Sequence, residues 1–395
     1  MTPLLPVADA QARLFAVAPR VASERVPLAA AAGRWTAGPI VALREQPGAD
    51  LSSMDGYAIR FDDLPGPWRV IGESAAGRPL AGPVGPGEAA RIFTGAAMPS
   101  GADSVLVQEE AERDGDTLAL HGEGPPRRGA SVRRKGLDFD HGTVLIGAGT
   151  RLTPAAIALA ATGGHGAINV NRRLRVTIMA TGDELISPGT ASDDPLALPE
   201  GNSAMLAAML ADLPVDVTVA GIIPDQIDPL VAAFSTASAN IVVTTGGASV
   251  GDHDLVRPAL QAAGGTVDFW RIAIRPGKPM LAGRLGEAMM LGLPGNPVSA
   301  FVTATLFLRP LIAAMAGAAD PLPRTLRAEL AEPLPANDHR QDYLRATIVN
   351  GRVSAAALQD SSMLATLARA TCLIVRPPHA PAAAIGDTVD ILPLA

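Results

Sequence analysis

The chain has 395 residues, 48% of them hydrophobic and 18% charged, with a formal net charge of −7. That length suits two to four domains with full cores, and the acidic balance offers nucleic acid or an anionic membrane surface no general hold. The single cysteine, Cys372, excludes an internal disulfide, a multi-cysteine zinc site and an iron–sulfur cluster.

The N-terminal MTPLLPVADAQARLF has neither a basic n-region nor a long apolar core, so no secretory leader is expected and a cytoplasmic location fits. Residues 8–40 read as a helix followed by an extended segment, with a stop at Ala32-Gly33. Between 41 and 147 short alternating runs such as Trp68-Arg69-Val70-Ile71 and Ser104-Val105-Leu106-Val107 are broken by glycine and proline, the texture of a small β domain. Residues 151–168 return to an alanine-rich helix after Thr153-Pro154, a cap and first-turn pair. The expectation is a split elongated helical domain, residues 1–40 and 136–172, with a β-rich domain, 41–135, inserted into it.

From Leu174 strands and helices alternate. Strands are expected over 175–180, 215–223, 240–244, 267–274 and 288–291, and helices over 202–212, 227–238, 253–263 and 298–316. This is an open α/β domain, residues 173–320, with ligands expected at the C-terminal strand ends. The apolar run 298–319 approaches membrane-span length, but Arg309-Pro310 interrupts it and a buried helix is expected. After Pro321-Leu322-Pro323 the remainder, 321–395, reads as a small all-β domain, with Asn350-Gly351 as a hairpin turn. The fold class is therefore multidomain α/β.

Four loops within sixty residues carry the chemistry: TTGGASVGDHD, RPGKP, GLPGN and PVS. Thr244-Thr245-Gly246-Gly247 follows a β-branched strand, and glycine there lets backbone amides approach a phosphate while hydroxyls add donors. The loop lacks the ending of a Walker P-loop and the spacing of a dinucleotide fingerprint. Asp252 and Asp254 either cap the next helix or bind a hard divalent ion together with substrate phosphates, and His253 has no second ligand at metal spacing. Arg271, Arg275 and Lys278 follow as phosphate-neutralising charge. Upstream, Thr181-Gly182-Asp183-Glu184 offers either a helix cap or, through Glu184, a metal ligand. Arg133-Arg134-Lys135-Gly136-Leu137-Asp138 reads as a solvated loop or an anion clamp, Asp55-Gly56 as a plain turn or a placed acid, and Thr94 as a strand end or a phosphate donor. The chain has 30 arginines and only two lysines, Lys135 and Lys278, each in a basic, glycine-flanked segment.

The segments SMDGYA, FTGAAMP, RRKGLD, ATGDEL, GIIPD, TTGGASVGDHD, FWRIAIRPGKP and GLPGNPVSA occur in this order, and together they resemble the molybdopterin molybdenumtransferase family, which includes the gephyrin E domain. The resemblance covers essentially the whole chain. It implies a homodimer with the site between subunits, and a reaction in which adenylylated molybdopterin and molybdate, with Mg²⁺, give molybdenum cofactor and AMP. By position, Asp55, Asp138, Glu184, Asp225 and Asp254 would form the acidic set with Thr94 nearby, Glu184, Asp225 and Asp254 being the metal ligands. Arg133, Arg271, Arg275, Lys278, Arg345 and Ser361 would serve oxyanion and phosphates. Thr245, Gly246, Gly247 and Ser249 would hold the pterin phosphate, and Pro294, Asn296 and Ser299 complete the substrate-binding set.

This chain departs from the family pattern at several positions. Leu51 and Leu137 stand where Asn and Glu are common, Glu200-Gly201-Asn202 replaces an Asp-Ser/Thr-Asn segment, arginines replace lysines at 271 and 275, and Gln226 follows Asp225. Two other readings use the same loops: an adenylyltransferase that activates molybdopterin, which needs only the α/β domain, and a cofactor carrier or scaffold, which gains nothing from carboxylates facing phosphate without a metal. Expected partners are adenylylated molybdopterin, molybdate, a second subunit, a molybdopterin adenylyltransferase and molybdoenzyme maturation proteins, with no nucleic acid and no membrane.

Overall fold

The computed structural model describes residues 4–247 and 255–394, apart from the Trp270 side chain. At its centre is a six-stranded mixed sheet in the order Val215–Ile223, Leu174–Thr181, Ile241–Thr245, Ala288–Leu293, Leu281–Leu285, Thr266–Trp270. The first four strands run parallel, Leu281–Leu285 runs against them, and Thr266–Trp270 pairs antiparallel to Leu281–Leu285. All five residues of Ile241–Thr245 are buried, as a β-branched strand flanked on both sides and covered on both faces must be.

The expected strand over 267–274 divides. Thr266–Trp270 stays in the central sheet, whereas Ile274–Arg275 pairs in parallel with Gln341–Val349 of the C-terminal sheet. Its partner in the central sheet, Leu281–Leu285, was not anticipated, because Gly283 weakens the pattern. That glycine is needed for the close crossing: a Cβ there would lie 2.0 Å from the Thr266 carbonyl oxygen.

The apolar run is one continuous helical rod, Pro297–Met315, built from an α-helix (Pro297–Thr303), a π-turn (Ala304–Leu308) and a second α-helix (Arg309–Met315). It has the length and composition to cross a bilayer, but 78% of its most apolar window is buried inside the protein. Pro310 explains the π-turn, since proline has no N–H to give the Leu306 carbonyl one turn back. The first helix, Val7–Val17, supplies the missing donor: Gln11 Nε2 reaches Leu306 O at 2.8 Å in a buried contact. Gln11→Leu removes that buried donor and is expected to cost about 1–3 kcal/mol in urea unfolding. A loss near zero would show that the carbonyl has another donor.

The separated N-terminal pieces meet where Ser23–Pro27 pairs antiparallel with Ala167–Asn171. This unit holds less helix than the sequence suggested. Thr153 Oγ1 caps the helix by accepting from Ala156 N at 3.2 Å, but the helix ends at Thr162. Gly163 and Gly164, the latter at φ 100°, stop it, and the alternating Ala-Ile-Asn-Val-Asn that follows is a strand. The intervening segment forms a second six-stranded sheet that includes Gly56–Ile59, Glu88–Ile92 and Ser104–Val107. A third sheet lies at the C-terminus. There Asn350 (φ 53°) and Gly351 (φ 78°) turn the chain between Val349 and its cross-strand partner Arg352, the left-handed pair of a type I′ hairpin.

Candidate functional site

Three parallel strands of the central sheet, ending at Thr181, Thr245 and Leu293, open into a cleft of about 660 Å³. Gly246 (φ 92°) and Gly247 (φ 59°) form its floor. A Cβ on Gly246 would lie 2.4 Å from the Thr181 carbonyl oxygen, so only glycine lets the loop lie this close to the neighbouring strand. The hydroxyls of Thr181 and Thr245 are buried at this floor and have no hydrogen-bond partner among the described residues. Buried hydroxyls without partners are costly, and a bound oxyanion would satisfy them.

The lining includes apolar Leu185, Leu198, Pro199 and Met205, which suit a flat heterocycle. It also includes the acids Glu184 and Asp225. Asp225 is held above the usual carboxylate range, first by burial and then by the charges of Asp183 and Glu184. Among the described residues no three carboxylate, histidine or cysteine groups gather closely enough to hold a metal unaided. Asp254 and Ser249 lie outside the described residues. Glu200 also lines the cleft, but its carboxylate is engaged in holding the fold. Its Oε1 accepts from Ser203 N at 2.9 Å and caps the helix Asn202–Leu210, whose N-cap Gly201 has no side chain to do so.

The C-terminal domain closes one rim. Asn296 Nδ2 donates to Ser361 Oγ at 3.0 Å, Val298 N to Ser361 O at 3.2 Å, and Asn202 Nδ2 to Gly295 O at 2.7 Å. Pro294, Asn296 and the Ser361 loop thus meet at the cleft, while Ser299 is buried within the first turn of the following helix. Arg345 is only 1% exposed beneath the same loop. Its Nη1 donates to Asp360 O at 2.7 Å and its Nε to Gln359 Oε1 at 3.1 Å, and burial pulls the guanidinium below its usual pKa. It holds the loop that meets the cleft.

The basic residues differ in the ion pairs they form. Lys278 is exposed and opens with Arg271 and His339 onto a neighbouring cleft of about 670 Å³, and it forms no ion pair among the described residues. Arg275, expected to face substrate, instead pairs with Asp338 at 3.3 Å and with buried Asp342, fastening the RPGKP segment to the C-terminal sheet. In the RRKG segment, Arg134 pairs with Asp50 at 2.6 Å and Lys135 with Glu45 at 2.8 Å. Arg133 alone of the three has no ion pair among the described residues; it lies exposed in the short strand Val132–Arg133, opposite Leu51.

Asp55 and Thr94 form a unit at one end of the inserted sheet. Asp55 Oδ1 accepts from Thr94 N at 2.7 Å and from Thr94 Oγ1 at 2.8 Å, and these two bonds, more than the nearby Arg91 charge, hold the carboxyl below its usual range. Asp138 is exposed in the loop after RRKG. Asp55, Thr94, Arg133 and Asp138 line neither cleft of their own chain.

Comparison with known proteins fits this layout. Residues 5–164 match the MoeA N-terminal region (domain I and II), 177–314 the probable molybdopterin binding domain, and 327–394 the MoeA C-terminal region (domain IV). The molybdopterin molybdenumtransferase of Haemophilus influenzae is 34% identical over 381 residues, 94% of each chain. The chain belongs to the molybdopterin molybdenumtransferase family. Molybdopterin molybdenumtransferase 2 of Mycobacterium tuberculosis is also 34% identical, over 83% of this chain and 80% of its own. The molybdopterin biosynthesis MoeA protein of Pyrococcus horikoshii superposes with a TM-score of 0.85 at 27% identity, covering 99% of this chain and all of its own. As a member of this family the chain is a transferase.

Reading the sequence overlooked Thr181 and Asn202 as site residues. Thr181 carried one usable signal, since it closes an apolar strand immediately before a glycine. Asn202 carried only the resemblance of Glu200-Gly201-Asn202 to a family segment, because its contact with Gly295 spans 93 positions.

Proposed function

We propose that this transferase of molybdenum cofactor biosynthesis inserts molybdate into adenylylated molybdopterin in the glycine-floored cleft, releasing AMP in a Mg²⁺-dependent step. The observation that carries the reading is the cleft floor, where Thr181 and Thr245 hydroxyls without a partner among the described residues share the lining with Gly246, Gly247 and the acids Glu184 and Asp225. The hydroxyls and glycine amides donate to the pterin phosphate, and the apolar lining receives the pterin.

The raised Asp225 fits a divalent cation. Burial and two neighbouring carboxylates disfavour its charge, and a cation relieves that repulsion. Mg²⁺ commonly takes only one or two protein carboxylates and completes its shell with phosphate and water, so Glu184 and Asp225, with Asp254, would hold it. Bound there, Mg²⁺ supplies neutralisation of phosphoanhydride charge. Lys278, Arg271 and Arg133 add positive charge for molybdate and the phosphates, and Arg345 fixes the Ser361 loop.

Asp55 and Thr94 line neither of the two clefts described, which supports a homodimer in which each subunit presents this pair to the other's cleft. The chemistry calls for an adenylyltransferase upstream and molybdoenzyme maturation proteins downstream, and a reducing cytoplasm suits a chain whose one cysteine is buried and free. The test is anaerobic AMP release from adenylylated molybdopterin, with and without molybdate and Mg²⁺. Release that needs Mg²⁺ and rises with molybdate is expected. Tight binding without release would instead mark a carrier.

A further inference from the structure

Arg91 stands in an unusual setting. It lies in the strand Glu88–Ile92, directly opposite Tyr57 on one neighbouring strand and Glu73 on the other. Although a carboxylate is its register partner, Arg91 forms no ion pair among the described residues. Its guanidinium lies instead over two aromatic rings, 5.2 Å from the Tyr57 centroid and 4.7 Å from that of Phe93. Nη1 donates to Gly56 O at 3.0 Å and Nη2 to Gln108 Oε1 at 2.8 Å.

These contacts surround one residue. Gly56 follows Asp55, Phe93 precedes Thr94, and Gln108 N donates to Asp55 O at 3.1 Å. The guanidinium thus ties together the three segments that set the Asp55 backbone and the Thr94 donors. A planar fork that stacks on rings while giving two divergent hydrogen bonds is a property of arginine that lysine lacks. Gly56 adds rigidity, because a Cβ there would lie 2.1 Å from the Leu106 carbonyl oxygen.

We propose that Arg91 is the positioning residue for the Asp55–Thr94 pair, acting through the Gly56 carbonyl, the Phe93 ring and Gln108 to aim that carboxylate at the reacting phosphates. The proposal rests on the assignment of Asp55 to the reaction. Arg91 also places its charge near Asp55, and the other charged groups around Arg91 are Glu73, Arg69, Glu88, Arg113 and Asp116, which line one cleft with it, and Glu109, which accepts from Gln108 Nε2 at 3.3 Å.

The experiment compares wild type, Arg91→Met, Arg91→Lys and Asp55→Asn in Mg²⁺-dependent AMP release across pH, alongside NMR titration of the Asp55 carboxyl in the intact protein. In Arg91→Met, kcat is expected to fall about 10–100-fold with little change in KM, as misplacement of a reacting group does. The acid limb of the rate profile and the Asp55 titration should both move to higher pH. Arg91→Lys should keep the charge, and so most of the limb position, while losing much of the rate. A rate loss in Arg91→Met with an unmoved limb and unmoved titration would reduce Arg91 to a structural role and overturn the proposal, as would a wild-type rate. Full activity in Asp55→Asn would remove Asp55 from the reaction, and a shifted Asp55 titration in Arg91→Met would then still show that Arg91 sets that carboxyl.

Discussion

Asp225→Asn is expected to lose turnover by about 100-fold or more while raising the thermal stability of the metal-free protein at neutral pH. The two effects have one cause. Asp225 is partly buried and faces Asp183 and Glu184, so its ionised form is disfavoured in the fold and its pKa lies above the usual carboxylate value. Below the unfolded-state value of about 3.9 aspartate and asparagine are both neutral and equally tolerated. As pH rises through the raised folded value the aspartate takes on a charge that the fold opposes, and that stability is lost. The asparagine variant should therefore melt higher at pH 7, with the advantage vanishing toward pH 4. Saturating Mg²⁺ should reverse the order, since only the wild type gains binding energy from the ion. Melting curves at two pH values, with and without Mg²⁺, check this, and an asparagine variant that melts lower at pH 7 without metal would contradict the assigned repulsion.

Gly246→Ala should be the most damaging single-methyl change at the cleft. The residue sits at φ 92°, and the added Cβ would meet the Thr181 carbonyl oxygen at 2.4 Å and its hydroxyl at 3.0 Å. The left-handed backbone costs about 1–2 kcal/mol for an L side chain, and overpacking against a fixed backbone adds about 1–3 kcal/mol. Because the loop must retreat from Thr181, loss of substrate binding should exceed what the stability change explains. Gly264→Ala is the control, with φ 81° and nothing within 4 Å of its Cβ. It should show only the backbone cost and keep its substrate affinity. Equal melting and equal binding in the two variants would refute the close-approach argument.

Much of the central domain is legible because its signals are local. Ile241 to Thr245 announces a buried strand, Thr153-Pro154 a helix start and Asn350-Gly351 a hairpin, each within a few residues. The glycine floor is legible for the same reason: Thr245-Gly246-Gly247 follows an apolar strand directly. The errors lie where local and long-range demands diverge. The segment 267–274 looked like one strand because its residues favour strand throughout, yet its two ends pair with different sheets. The helix at 151–168 was overextended because alanine persists almost to the glycines that stop it.

Composition and pattern alone determined that this is an acidic, single-cysteine α/β protein whose glycine-rich loops stand at strand ends, since glycine permissiveness and strand periodicity act over a few bonds. Tertiary structure decided which charges are available. Arg134, Lys135 and Arg275 are taken up by Asp50, Glu45 and the pair Asp338 and Asp342, while Arg133 and Lys278 form no ion pair among the described residues. It also decided that Gln11 donates to a carbonyl that Pro310 cannot serve and that Arg91 lies over two rings. An ion pair, an orphaned carbonyl or a stacked guanidinium depends on groups tens to hundreds of positions apart, and only the folded chain brings them within hydrogen-bonding range.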